Sequence, residues 1–523
     1  MNKIKNLINQ NLFYLSLIIL SSLIFTFYSG YKGIFPIDSF LIFDAGFKVL
    51  NDYHPFRDYW SITGPFLDYI QFLFFKVLGV SWKTYVFHAA IINILLSVIT
   101  FFFFYKIGLK KIHSFIYAIS ISILGYPSAG TPFMDHHATI FSLFALMSLI
   151  LAFKNNNSFY WFSVPVLLGF SFFSKQIPSV YLGFLFISVI TVYLTITKFK
   201  KIQSIVYLLY GISFLILICG LIIFVNAIPI KNFIIQYVLY PMSIGEERSA
   251  NLNFNYKNIF SQFKFIYFSL LLLIIPSYHL FSLKRKKLKD LINILILFTF
   301  LLSIFIFLYA QLMTKNQILI FFLIPFCLGI SHYYIVNYFD SKKLFYLIIF
   351  IVIVATSKFH LRFNVEKKFM ELSEVDFNLT QGGEILDSKL SGIKWITPNY
   401  PNNPKKELFL LQDTKDKIIK EKKIKIIVSD YQILPSITKT VKFAPNKWFD
   451  DLSVPNEDNK YSKVYNNFFE NKLNEHNIQV IFIVGKSKIN YILRHFPNKD
   501  CFVKNILNEI VIKINIEKCN FDN

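Results

Sequence analysis

The sequence predicts a polytopic α-helical membrane protein with a C-terminal α/β extracytoplasmic domain, and three observations lead there. Of its 523 residues, 54% are hydrophobic. Apolar runs of spanning length recur through the first 360 residues, and a bilayer core of ~30 Å needs about 20 such residues in a helix. From about residue 361 the character changes: charged residues become dense, prolines and asparagines cluster in "ITPNYPNNPKKE", and strand-like runs follow. A soluble globular chain would expose most of the apolar runs to water, which excludes that class.

In order along the chain, spans are expected near 11–29, 84–105, 113–127, 137–153, 159–174, 178–197, 203–226, 262–282, 291–312, 317–337 and 343–360. That makes about eleven helices. The first run follows "MNKIKNLINQ" and is longer than a signal-peptide core, and "FYSGYKG" is a poor cleavage site, so it reads as a retained anchor. Lys106, Lys110 and Lys111 follow the second span, Lys154 the fourth, and Lys198, Lys200 and Lys201 the sixth. "KRKKLKD" (284–290) follows the eighth, and Lys342 and Lys343 the tenth. The positive-inside rule then places the N-terminus and these clusters in the cytoplasm. The C-terminal domain comes out on the other side, the periplasmic face of a bacterial inner membrane.

Two domains follow: 1–360, a transmembrane catalytic domain, and 361–523, an extracytoplasmic α/β domain. In the second, "KIKIIVSD" (423–430), "IQVIFIVG" (478–485) and "EIVIKINI" (509–516) read as strands, and helical patterns precede the first two. Cys501 and Cys519 flank the last strand region and are either bridged or free; Cys219 and Cys327 read as packing residues within spans. The net charge of +23 invites a nucleic-acid reading. Its lysines lie in short clusters between apolar runs, with no basic face, so no nucleic-acid partner is expected.

The stretch "PIDSFLIFDAGFKVLNDYHPFRDYWSITGP", Pro36 to Pro65, gathers four aspartates, an arginine and a histidine directly after the first span. Asp38 is either the cap of a helix beginning near Ser39 or a partly desolvated carboxylate fit to accept a proton. Arg57 carries a planar fork suited to phosphate, whether of a substrate or of any anionic lipid. Asp58 orients Arg57, contacts a sugar, or is simply solvated. Tyr59 and Trp60 read as interfacial anchors. Lys175, in "FFSKQIPSV", sits between two apolar runs with almost no loop, where a cation snorkels to headgroups or meets a lipid-linked phosphate. Asp135, His136 and His137 invite a metal reading. Neighbours on a helix diverge by about 100°, so a divalent metal is not favoured there and a polar substrate contact is. His88 reads as a hydrogen-bonded core histidine. Lys315 and Gln317 are secondary candidates in a short turn.

An acidic residue after the first helix, an amphipathic segment, then "HPFRDYWSITGP" resembles the first external loop of GT-C glycosyltransferases. The likeness is to the branch with protein O-mannosyltransferases and lipid A aminoarabinose transferases. Asp38 takes the family's first acidic position, Arg57-Asp58-Tyr59-Trp60 its second element, and Gly64-Pro65 its closing step. "GTPFMDHHATIFSLFALMSLILAF" resembles the second acidic loop, with Asp135. "LGFSFFSKQIPSVYLGFL" resembles the turn that carries a lysine, with Lys175. Ser39 stands where a second acid is common, and Thr63 where a lysine often precedes the proline.

The resemblance implies an inverting transfer of a sugar from a polyprenyl-phosphate donor to a glycan, lipid or protein acceptor. Asp38 would be the base, with Arg57, Asp58, Asp135, His136 and Lys175 as substrate contacts. The loop "YVLYPMSIGEERSANLNFNYKN" (237–258) would add Tyr240 and Arg248 at the carrier cavity. No cofactor is assigned. Two alternatives stand beside this reading: a polyprenyl-lipid or sugar transporter or flippase, and a non-catalytic polysaccharide-assembly platform.

Overall fold

The computed structural model describes residues 2–250, 256–283, 286–314, 320–339, 341–368, 372–440, 442–485, 488–496 and 500–519. Each expected span is helical: Asn2–Gly30, Trp82–Ile107, Lys111–Leu124, Met134–Asn155, Ser158–Ser174, Gln176–Ile196, Gln203–Val225, Leu288–Thr314, Leu323–Tyr338 and Lys342–His360, with the eighth broken into Gln262–Leu271 and Ile274–Ser282. Among the described residues, eight helices are long and apolar enough to cross a membrane, while Lys111–Leu124 and Ser158–Ser174 are shorter. The chain is a polytopic helical membrane protein with a C-terminal domain. Lys315 and Gln317 lie outside the described residues.

The helix Met134–Asn155 is the hub, with 94% of its apolar window buried, against 6% for Gln203–Val225 at the lipid-facing periphery. Both are hydrophobic all round, so composition alone does not separate them. Two helix ends meet through glycines. A Cβ on Gly30 would lie 2.7 Å from the carbonyl of Gly130, so the first helix and the loop entering Met134–Asn155 touch only because both residues lack one.

Lys154 Nζ donates to Ile107 O at 2.9 Å and to the Tyr333 hydroxyl at 2.8 Å, and Lys106 Nζ donates to the Tyr160 hydroxyl at 2.6 Å. The ends of four helices therefore meet around these two lysines.

Two helices outside the expected spans, Leu41–Leu50 and Pro65–Leu78, lie in the loop between the first two spans and pack on each other. Both are amphipathic and too short to span. They lie beneath the C-terminal domain, whose four-stranded sheet runs in the order Lys425–Ser429, Val480–Val484, Val511–Asn515, Val503–Ile506. The first two strands are parallel and the rest antiparallel. Helices Pro404–Lys420 and Ser462–Glu475 precede the two parallel strands, as the βα alternation requires. Val503–Ile506 is an exposed edge strand with no apolar alternation, which is why it left no signal. Cys501 and Cys519 are bridged, with their Cα atoms 4.8 Å apart.

Docking is by backbone as well as by core. Gly33 N–H donates to Lys394 O (3.0 Å), Lys394 N–H to Tyr31 O (2.9 Å) and Ile34 N–H to Ile396 O (2.9 Å). Trp60 N–H donates to Pro445 O and Lys447 N–H returns to Trp60 O, at 3.0 and 2.9 Å. Ile34, Phe40 and Phe43 share one hydrophobic core with Leu390, Trp395 and Leu434.

Candidate active site

Between the membrane helices, the loop after the first span and the C-terminal domain lies a cavity of about 750 Å³. It collects four of the charged residues singled out in the sequence: Asp38, Asp135, Lys175 and Arg248. Glu246 and Asp450 join them on its wall.

Asp38 sits in the short helix Pro36–Ser39 and is half-buried. It does not cap that helix. The N-cap is Phe35, whose N–H donates to Ser39 Oγ at 3.1 Å. The chain just before it, Tyr31 to Ile34, is fixed by the backbone bonds to residues 394–396 described above, so the C-terminal domain sets where Asp38 stands.

Lys175 terminates the helix Ser158–Ser174 in an extended conformation (φ −161°, ψ 144°), which turns its side chain out of the helical path. Its Nζ lies 2.7 Å from both carboxylate oxygens of Asp135. Asp135 is 4% exposed and Lys175 16%. Lys175 therefore meets a fixed carboxylate in the cavity wall, not the headgroup layer. Asp135 is not a helix cap either: Met134–Asn155 begins after Phe133 without a side-chain cap. Arg248, the cavity's other cationic side chain, donates from Nη1 to Met313 O at 3.3 Å.

One flank is apolar. Val180, Tyr181, Phe184 and Met242 line the cavity and are exposed, Phe184 by 68%. On helices of spanning length, exposed apolar side chains face lipid. An acyl or prenyl chain can thus lie along this flank with its head among the charges.

Other sequence candidates lie elsewhere. Arg57 does not line the cavity: Nε pairs with Asp58 Oδ2 at 2.8 Å, Nη1 donates to Asn226 O at 3.0 Å, and Nη2 donates to Asp52 O. Asp58 also accepts from His54 N–H at 2.7 Å and lies 3.8 Å from Lys472 Nζ, so it joins the loop to the C-terminal domain. Both fasten the loop, since Arg57 is held at all three of its nitrogens by Asp58, Asn226 and Asp52. His136 is fully buried and its Nε2 bonds Gly125 O at 2.9 Å. His88 bonds Gln71 and His137, at 2.9 and 3.2 Å, the core role expected of it. Among the described residues no three metal-ligating side chains converge.

Tyr240 is buried beneath the cavity's rim and donates its hydroxyl to Leu452 O at 2.7 Å. Tyr59 and Trp60, expected at the lipid interface, are buried under the C-terminal domain. Tyr59 donates to Asp68 Oδ2 at 2.8 Å, and Trp60 packs edge-on against Tyr465 at 5.2 Å.

A buried clasp lies next to them. Lys447 Nζ lies 2.6 Å from Asp68 Oδ1, with side chains 4% and 0% exposed, and donates to Thr63 O at 2.8 Å. Gly64 makes room for it: at φ +71° it turns the chain, and a Cβ there would sit 3.0 Å from Lys447 Nζ. Burial lowers the Lys447 amine and raises the Asp68 carboxyl from their ordinary values, and their mutual attraction opposes both shifts.

The sequence reading missed the loop that follows, "WFDDLS" (448–453). Trp448, Asp450, Leu452 and Ser453 line the cavity from the C-terminal side. Burial raises the Asp450 carboxyl, opposed by hydrogen bonding from Ser453, whose N–H lies 2.7 Å from Oδ1. The only signal was an aromatic–carboxylate cluster within an otherwise polar tail.

No family model matches the chain. No curated protein matches it either. Among solved structures, it is similar to the crystal structure of ArnT from Cupriavidus metallidurans bound to undecaprenyl phosphate. The TM-score is 0.48 and the identity 11%, over 96% of this chain and 97% of that one.

Proposed function

We propose that the protein is an inverting glycosyltransferase that moves a sugar from a polyprenyl-phosphate donor to an extracytoplasmic glycan, lipid or protein hydroxyl. One observation carries the reading: a single cavity joins Asp38, the Asp135–Lys175 pair and Arg248 to an apolar flank open towards lipid. Of the motif residues that resemble GT-C enzymes, Asp38, Asp135 and Lys175 line that cavity, whereas Arg57 to Trp60 do not.

The chemistry fits these groups. A phosphate is already a good leaving group, so the donor needs no general acid. Asp38 takes the proton of the acceptor hydroxyl as its oxygen forms a bond to the anomeric carbon. The bond from that carbon to the phosphate oxygen breaks on the opposite face, and its electron pair stays on the phosphate. Lys175 and Arg248 hold the growing charge. Residues 1–360 form the catalytic membrane part and 361–523 the extracytoplasmic domain. The lysines that follow alternate spans support a cytoplasmic N-terminus, and the Cys501–Cys519 bridge suits an oxidising compartment. The setting is a bacterial inner membrane with the C-terminal domain in the periplasm.

Asp38→Asn keeps shape and removes the base. Purified protein given a radiolabelled undecaprenyl-phosphate sugar and membrane-derived acceptors should transfer label, and the variant should lose at least a hundredfold in rate. Equal transfer by the variant sinks the assignment of Asp38. Donor binding with no turnover by the native protein favours the assembly platform instead.

A further inference from the structure

Within the cavity, the cations sit on membrane elements, whereas Trp448 and Asp450 come from the C-terminal domain. Their loop is pinned from several sides. Pro445 and Lys447 pair with Trp60, Tyr240 donates to Leu452 O, and Lys488 Nζ donates to Phe449 O at 2.7 Å. A loop held so firmly presents its side chains in one arrangement.

Trp448 and Asp450 line the cavity two positions apart on this loop, and the chemistry of the pair narrows the ligand they fit. An indole offers an apolar face with one polar edge, and a carboxylate offers only acceptors. Together they suit a polyhydroxylated ring, whose C–H face stacks on the indole and whose hydroxyls donate to the carboxylate. They do not suit a phosphate, which the Asp450 charge would repel.

We propose that Trp448 and Asp450 form the donor-sugar subsite, so that the C-terminal domain selects the sugar while the membrane helices hold its phosphate. This rests on the polyprenyl-phosphate reading above. The ring is one bond from the phosphate oxygen, so a donor whose phosphate meets Lys175 has its sugar within the same cavity.

The test compares lipids that differ only in the sugar. Bare undecaprenyl phosphate and its glucosyl, mannosyl and galactosyl forms are titrated calorimetrically into the detergent-solubilised full chain. The native protein should bind at least one sugar-bearing lipid more tightly than the bare one. Asp450→Ala and Trp448→Ala should each cut that preference at least tenfold while bare-lipid affinity stays within twofold. Asp450→Asn and Trp448→Phe, which preserve packing, should cut it in the same direction. A preference unchanged in all four variants, or no preference in the native protein, overturns the subsite alone. Failure of the native protein to bind any of these lipids overturns the donor reading beneath it.

Discussion

Lys175 is already occupied, and that has a measurable consequence. Both oxygens of Asp135 lie 2.7 Å from its Nζ, so a donor phosphate competes with a carboxylate for the amine's charge and for two of its three N–H donors. Asp135→Asn removes the competitor and keeps its shape. Taking one partner from a buried ion pair costs about 3–5 kcal/mol. Lys175 keeps 16% exposure, and solvent screening of that end lowers the figure to about 2 kcal/mol. The empty variant should be destabilised by that amount, and an arriving phosphate should recover it. Affinity for undecaprenyl phosphate should therefore rise roughly 30-fold, since each 1.4 kcal/mol is a factor of ten. Lys175→Met should move affinity the other way. Titration of the lipid into each purified variant, beside its thermal midpoint with and without lipid, reads both effects. Weaker or equal binding by Asp135→Asn would refute the exchange, and show that the pair is a structural strut.

Two further outcomes follow from ionisable side chains that the C-terminal domain buries. Lys447→Met leaves Asp68 buried with, among the described side chains, Tyr59 alone donating to it, and should cost about 3–5 kcal/mol in thermal or denaturant unfolding; Lys447→Met combined with Asp68→Leu should recover most of it, and no recovery would argue against the pair. His495, stacked on Phe469 at 4.2 Å, has its pKa lowered by burial against the pull of Glu470. A histidine whose folded pKa is depressed adds stability above its unfolded value of about 6.5 and loses it as pH falls below. His495→Gln should therefore flatten the decline in thermal midpoint between pH 7 and 5, and an unchanged slope would assign that decline to other groups.

What the sequence showed and what it hid divide by the range of the interaction. Spans were legible because a run of about 20 apolar residues announces itself locally. Asp135 and Lys175 were found separately, each by its polarity at the edge of a span, but nothing local said that one neutralises the other. Leu41–Leu50 and Pro65–Leu78 fell below spanning length and carried too few turns to be told from loop. Trp60 and Tyr59 look like interfacial anchors by type. They are core residues because Tyr465 and Lys447, nearly 400 positions away, come to cover them or their hydrogen-bond partner. Asp450 was invisible for the same reason: a carboxylate in a polar tail becomes a cavity wall only once the tail has docked.

That docking bears on how the cavity forms at all. The loop between the first two spans has three short helices and long connections, and its connecting backbone finds partners in the C-terminal domain: 31–34 with 394–396, and Trp60 with 445–447. Buried backbone groups left unpaired are costly, so these connections hold their shape only against the domain. Asp38 follows directly after the first of these pairings, and Asp450 follows directly after the second. The composition changes near residue 361, yet the two carboxylates facing the cavity from its first loop and its last domain are placed by the same interface. A variant that loosens Lys447 from Asp68 should therefore disturb Asp38 and Asp450 together, and lose transfer at temperatures where the membrane helices remain folded.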